Sequence, residues 1–116
     1  MKQRSNAHAL LREDPVVLSS AERQAVHHAI EERAAKREWK LLALNVRTNH
    51  VHCVIQASDR TPERVMSDLK SAATRALREA GLRSQEARIW TEHGSTRWID
   101  SETSMNAAME YVLNQQ

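Results

Sequence analysis

Phenylalanine is absent, and the aromatic complement is three tryptophans and one tyrosine. Any hydrophobic core must therefore be aliphatic, assembled from Leu, Val, Ile, Ala and Met. A single cysteine, Cys53, excludes an internal disulfide and any zinc site with several Cys ligands, and it fits a reducing compartment. No apolar run approaches a membrane span, and the stretch Met1 to Asn6 is polar with no apolar segment behind it. A cytoplasmic protein with no membrane partner is expected. The chain carries no internal repeat, linker or low-complexity segment. A large charge of either sign is also missing: 17 Lys and Arg against 15 Asp and Glu leave +2, with a pI near 9.0. Such a surface permits a polyanionic partner without demanding one.

A length of 116 residues, 41% hydrophobic and 28% charged, supports one ordinary globular domain spanning 1–116. Residues 7–18 can hold a short first strand broken at Asp14-Pro15. Ser19 and Glu22 form a capping box, and Ala21 to about Arg37 then reads as a helix, with Val26, Ile30 and Ala34 at helical spacing. His27 and His28, adjacent on that helix, do not share a face and read as surface residues. Trp39 to Val46 reads as a second strand, with Leu42, Leu44 and Val46 expected on one face. Arg47-Thr-Asn49 is short enough to turn it back into an antiparallel third strand. Thr61-Pro62-Glu63 is a helix start. That helix runs to about Ala80 and stops at Gly81, burying Val65, Leu69, Ala72, Ala73, Ala76 and Leu77. Lys70, Arg75 and Arg78 ride on its other faces, where a solvated helix surface is the plain interpretation. After a polar loop, Arg88 to Thr91 and Thr96 to Ile99 read as two short strands around Glu-His-Gly-Ser. Their tryptophans suit packing anchors, with base stacking as the alternative; His93 receives no role. Ser101 caps a last helix, about Glu102 to Gln115, striped with Met105, Ala108, Met109 and Val112. The order β, α, β, β, α, β(β), α is that of an α+β split βαβ domain: an antiparallel sheet with helices packed on it.

Two places carry chemistry. In Asn45 to Gln56, Val51, Cys53 and Ile55 alternate with His50, His52 and Val54, the period of a strand. Residues two apart on a strand share a face, with Cα atoms about 6.5–7 Å apart, so His50 and His52 can lean onto one metal ion. A His-x-His stripe facing solvent is the competing explanation. On the final helix Tyr111 and Gln115, four residues apart, are neighbours on one face about 5–6 Å apart at Cβ, and Ala107 one turn earlier leaves room beside them. A half-buried tyrosine anchor and a frayed terminus are the plain interpretation of that pair.

Together, Asn49-His-Val-His52 in a strand, the Leu69-Lys70 helix, Trp90 and Tyr111-Val-Leu-Asn-Gln115 resemble the HUH-superfamily single-tyrosine transposases, which include insertion-sequence and REP-associated members. The resemblance runs from about Val17 to Gln115. It implies a ferredoxin-like sheet with the histidine strand central. It further implies that His50, His52 and Gln115 bind a divalent metal, Mg²⁺ or Mn²⁺, with Asn114 the lesser candidate for the third place, and that Tyr111 is the nucleophile. The substrate would be single-stranded DNA, often beside a hairpin, cleaved to a 5′-phosphotyrosine and a free 3′-hydroxyl. Lys70, Arg75 and Arg97 are the expected phosphate contacts, and a homodimer is the expected assembly. The chain departs from the family where Arg47-Thr48 replaces a common Met-Pro pair before Asn-His. Two other functions fit the same residues: a DNA-binding module that has kept the fold without catalysis, and a metal-dependent hydrolase that uses water instead of Tyr111.

Overall fold

The computed structural model describes residues 8–13, 15, 17–86, 88–90, 94–99 and 102–114. Its elements follow in the order β1 (His8–Glu13), α1 (Ser20–Lys36), β2 (Lys40–Val46), β3 (Val51–Gln56), α2 (Pro62–Glu79), β4 (Ser95–Ile99) and α3 (Glu102–Asn114). The strands form one sheet in the order β2-β3-β1-β4, and every neighbouring pair is antiparallel. β3 is inserted between β2 and β1, which α1 connects; this is the expected split βαβ, ferredoxin-like arrangement.

Local sequence accounts for the boundaries. The Ser19 side chain accepts from the Glu22 amide, and the Glu22 carboxylate accepts from the Ser19 amide at 2.8 Å, so two of the amides orphaned at the start of α1 find partners. At the start of α2 the Thr61 side chain accepts from the Arg64 amide, with Pro62 at the first helical position. The helix ends where Gly81 takes φ 72°, a left-handed conformation glycine adopts without steric cost. Between β2 and β3 the chain turns on a bond from the Arg47 amide to the His50 carbonyl, 2.9 Å.

Alternation along the strands divides the core in two. Ala9, Leu11, Val51, Cys53 and Ile55 meet α1 and α2 through Val26, Ile30, Val65, Leu69, Ala73 and Leu77. On the opposite face Ala43, Val54 and Ile99 meet α3 through Ala108 and Val112, with Met105 and Met109 beside them. β3 is thus buried on both sides, Val51 to Ile55 without exception, as a central strand between two helical layers must be.

Two expectations need correction. Leu42 does not share a face with Leu44 and Val46. A bulge between Leu41 and Ala43 shifts the phase by one residue, so Leu42 packs towards α3 while Leu41, Leu44 and Val46 pack towards α1 and α2. The segment from Arg88 makes no strand ladder among the described residues. Its contribution is one antiparallel bridge, Trp90 to Pro15, and a proline lacks the N–H that would extend pairing. Thr91, His93, Ser101 and the helix end at Gln115 lie outside the described residues. Trp90 is an anchor as expected, its Nε1 donating to Thr74 Oγ1 at 2.9 Å, while the side chain of Trp98 lies outside what is described; Trp39 is a further anchor, its Nε1 donating to Asp59 Oδ1 at 2.7 Å. His27 and His28 lie at the surface beside Glu31 and Glu32. Among the described residues no helix is long and apolar enough to cross a membrane.

One ion pair closes the back of the molecule. Arg83 Nε binds Glu22 Oε2, and Arg83 Nη2 donates to the Val17 carbonyl at 2.7 Å. The Arg83 hydrogen bond holds the Glu22 carboxyl below its ordinary value of 4.5, against the opposing effect of burial. A carboxylate whose folded pKa is depressed stabilises the fold above its unfolded pKa, and that contribution is lost as pH falls through the lowered folded value. Glu22→Gln keeps the capping box but removes the charge, so it should cost about 1–3 kcal/mol at pH 7. The difference from the parent should shrink as pH falls below about 4.5. Urea melts of both proteins at pH 7 and at pH 3.5 check this, and an unchanged difference at the two pH values would refute it.

Candidate active site

Burial of β3 on both faces leaves its polar residues nowhere to go but under α3. His52 pairs with Asn45 of β2 on one side and Arg12 of β1 on the other, so Asn45, His52 and Arg12 form one row across the sheet. Residues directly opposite in an antiparallel pair share a face. His52 is only 2% exposed. His50 lies one residue ahead of β3, at the end of the turn, with its Nδ1 3.0 Å from Asn49 Oδ1. The His50 and His52 ring centroids are 4.8 Å apart with their planes at 61°. The Tyr111 ring stands edge-on to His52, 5.1 Å between centroids at 77°. Tyr111 is nonetheless 45% exposed, so its phenol is open to a ligand from solvent while one side of its ring is fixed by His52.

α3 is held in place at its C-terminal end. The last carbonyls of a helix have no intrahelical partner, and one of them, Val112, accepts from Asn45 Nδ2 at 2.9 Å. Asn45 is therefore both the ladder neighbour of His52 and the tether of the turn that carries Tyr111. Sequence reasoning assigned no role to Asn45 or to Arg12. The signal for Asn45 was available: asparagine is depleted in strands, and here it interrupts the aliphatic run Leu41 to Val46. Arg12 gave less warning, since a charged residue on a sheet face is ordinary until its neighbours are known. Half-buried at the site face beside His52, it supplies the nearest cation in the ladder.

Of the expected site residues, His50, His52 and Tyr111 come together. Gln115 lies outside the described residues. Lys70 and Arg75 sit on α2, across the sheet from Tyr111. Lys70 Nζ is 2.7 Å from Glu13 Oε2, neutralising a carboxylate that is 6% exposed, and lies 5.8 Å from the Trp90 ring centroid. Arg97 belongs to β4, where it pairs with Leu10.

The donor set fits a divalent cation in part. Nε2 of His50 and both ring nitrogens of His52 are screened from bulk solvent, and neutral imidazole is a good ligand for first-row divalent ions. No group of three His, Cys, Asp or Glu residues suited to a metal occurs among the described residues. Cys53 lies apart from the histidines. Strand alternation sends it into the opposite layer, where burial pushes its thiol up to about 12 and keeps it neutral.

Removing the tether tests this construction. Asn45→Ala should lower stability by about 1 kcal/mol and raise hydrogen exchange in α3 selectively, with β1 and β3 protected as before. Equal loosening of all elements would show that Asn45 supports the whole sheet rather than the position of α3.

Comparisons with known proteins agree with this fold. The fold matches the structure of a REP-associated tyrosine transposase bound to a REP hairpin, with TM-score 0.72 and 17% identity, over 97% of this chain and 67% of that one. It also matches a Deinococcus radiodurans R1 protein described as a transposase, with TM-score 0.70 and 20% identity, over 100% and 98%. No protein of curated function matches the sequence. The model of the IS200-like transposases matches residues 9–115, nearly the whole chain. The protein belongs to the IS200-like transposase family.

Proposed function

We propose that the chain is a metal-dependent strand transferase for single-stranded DNA, with Tyr111 as its nucleophile and His50 and His52 as metal ligands. The observation that carries this reading is the contiguous set of rings His50–His52–Tyr111, at 4.8 and 5.1 Å between successive centroids, with the phenol exposed at its outer end.

His50 and His52 would hold Mg²⁺ or Mn²⁺ together with the amide of Gln115, all three being neutral ligands. The ion would supply positive charge to orient and polarise the scissile phosphodiester. The protein's own part is positional. α3, tied down through Asn45, holds the Tyr111 oxygen within reach of a phosphorus atom lying against the histidines, and β3 is too rigid for the histidines to follow a misplaced strand. Attack by Tyr111 Oη forms the P–O(Tyr) bond and breaks the bond to the 3′-oxygen. The phenol loses a proton and the departing 3′-oxygen gains one, so protons balance. The phosphotyrosine conserves the bond energy of the cleaved diester, and a 3′-hydroxyl can reverse the step on another end without ATP. The hairpin in the related complex supports a hairpin-bearing single strand as substrate. Lys70, Arg75 and Arg97 would supply phosphate contacts along it.

The deciding experiment mixes the protein with hairpin-bearing single-stranded oligonucleotides and Mn²⁺ and resolves the products on a denaturing protein gel. A band resistant to denaturant is expected, lost with EDTA and reduced by more than about a thousandfold in Tyr111→Phe, as for loss of a nucleophile. Cleavage without an adduct would assign the site to a water-using hydrolase. Retained DNA binding with neither cleavage nor adduct would leave a binding module.

Metal binding has its own readout. The electron-spin signal of free Mn²⁺ should fall on adding the protein. His52→Gln should weaken that binding by at least about tenfold, whereas Tyr111→Phe should leave it in place. Equal binding by the parent and His52→Gln would remove the histidines from the metal site.

A further inference from the structure

On the far side of the sheet from Tyr111, α2 and the segment at Trp90 enclose an open groove of about 570 Å³. Its floor is one stripe of α2, in which Ser67, Ser71, Thr74 and Arg78 recur at helical spacing with Arg75 alongside. Trp90 forms the wall, and its indole is fixed in orientation by the bond to Thr74 Oγ1. Lys70 reaches into the same space, but its ammonium is engaged with Glu13. Beside Lys70, the cations that line the groove are Arg75, which is exposed, and Arg78. Arg78 Nε is shut off from solvent and has no hydrogen-bond partner among the described residues. At one end of the groove Glu63, hydrogen-bonded by Thr96 Oγ1 at 2.7 Å, sets a negative limit that a phosphate would avoid.

We infer that this groove is a second nucleic-acid site, which takes the sugar–phosphate backbone of single-stranded DNA on Arg75 and Arg78 with an unstacked nucleotide against Trp90. The inference rests on the strand-transferase reading for the identity of the polymer. Hydroxyls, guanidinium groups and a fixed aromatic wall are the set that sequence-tolerant single-strand binding uses, and a duplex keeps the faces of its bases covered. The groove lies in the α1/α2 layer and Tyr111 in the α3 layer. A strand that reaches both must pass around the sheet rather than through it. The groove would then hold nucleotides some way along the chain from the scissile phosphate, fixing the strand's direction rather than taking part in the chemistry.

The test measures equilibrium binding of a fluorescent oligothymidylate by anisotropy over a series of salt concentrations. It uses protein carrying Tyr111→Phe with EDTA present, so that neither metal nor nucleophile is required. Arg75→Gln and Arg78→Gln should each lower the slope of log affinity against log salt by about 0.7, the loss of one single-strand phosphate contact. Lys40→Gln, which removes the same charge from the first residue of β2 at the opposite edge, should leave the slope as it was. Trp90→Leu should weaken binding at least about fivefold while Trp90→Phe retains most of it. The arginine variants leave the core intact, so they decide the matter if Trp90→Leu is unstable. Slopes unchanged in both arginine variants, or a loss equal to that of Lys40→Gln, would overturn the inference. So would a duplex of the same length that binds as tightly and loses as much. Failure of the phosphotyrosine experiment would leave this binding result standing, and failure here would leave the adduct, so the two readings fall separately.

Discussion

A side-chain amide on an edge strand and a carbonyl near the end of the last helix join the two elements that carry the rings of the site. α3 follows β4 at the far edge of the sheet, yet it lies over β2 and β3, on the other half. Apolar contact of Ala108 and Val112 with Ala43, Val54 and Ile99 places it there. Directional bonding adds to this. Asn45 Nδ2 meets the Val112 carbonyl at 2.9 Å, and Tyr111, one residue earlier, comes edge-on to His52. Because Asn45 and His52 are ladder partners, the tether and the site share one row of the sheet. A displacement of one moves the other.

Much of this was legible in the sequence, for reasons that can be stated residue by residue. Capping chemistry at Ser19/Glu22 and Thr61/Pro62 located both long helices, since those bonds are local and depend on few residues. Alternation in Val51 to Ile55 located the central strand and placed Cys53 away from the histidines. The bulge at Leu41–Ala43 was not legible, because a run of aliphatic residues looks alike in either phase and only pairing with β3 reveals the extra residue. The segment at Trp90 looked like a strand because it is aromatic and β-branched; its partner proved to be a proline. Asn45 and Arg12 escaped notice for a related reason. Their roles arise from which residues stand across the ladder, and no spacing along a single strand encodes that.

The two faces of the sheet divide the chemistry between them. The α3 face carries the imidazoles and the phenol. The α1/α2 face carries most of the arginine-rich surface, and much of its charge is already committed: Asp68 engages Arg33 and Arg37, with Arg60 at 3.8 Å, Glu22 engages Arg83 and Glu13 engages Lys70. A net charge of +2 therefore understates how unevenly the uncommitted cations are placed. Glu13 shows the cost of this order. A carboxylate facing the aliphatic layer is tolerable only with a cation in contact, and Gly94 packs so closely that a Cβ there would strike Glu13 and lie 3.0 Å from Met66 Cε. Lys70, expected from the sequence as a phosphate contact, thus carries a structural duty.

The β2–β3 register shows how the site was made compatible with the core. The turn bond from Arg47 to His50 starts the pairing at Val46 with Val51, and from there Asn45 meets His52, Leu44 meets Cys53 and Ala43 meets Val54. Each pair falls in one layer: site, aliphatic core, α3 face. Continued without interruption, the same register would put Leu42 opposite Ile55 and Leu41 opposite Gln56, leaving Leu41 without its place in the α1/α2 core. The bulge removes that conflict by skipping Leu42, so Leu41 meets Ile55 instead. Placing the irregularity there confines the misfit to the end of the hairpin away from the histidines. A register slip elsewhere would exchange His52 with Cys53, burying an imidazole among leucines and presenting a thiol to Tyr111. The short turn makes the pairs nearest to it the best determined in the ladder, and those are the pairs on which the histidine–tyrosine geometry rests.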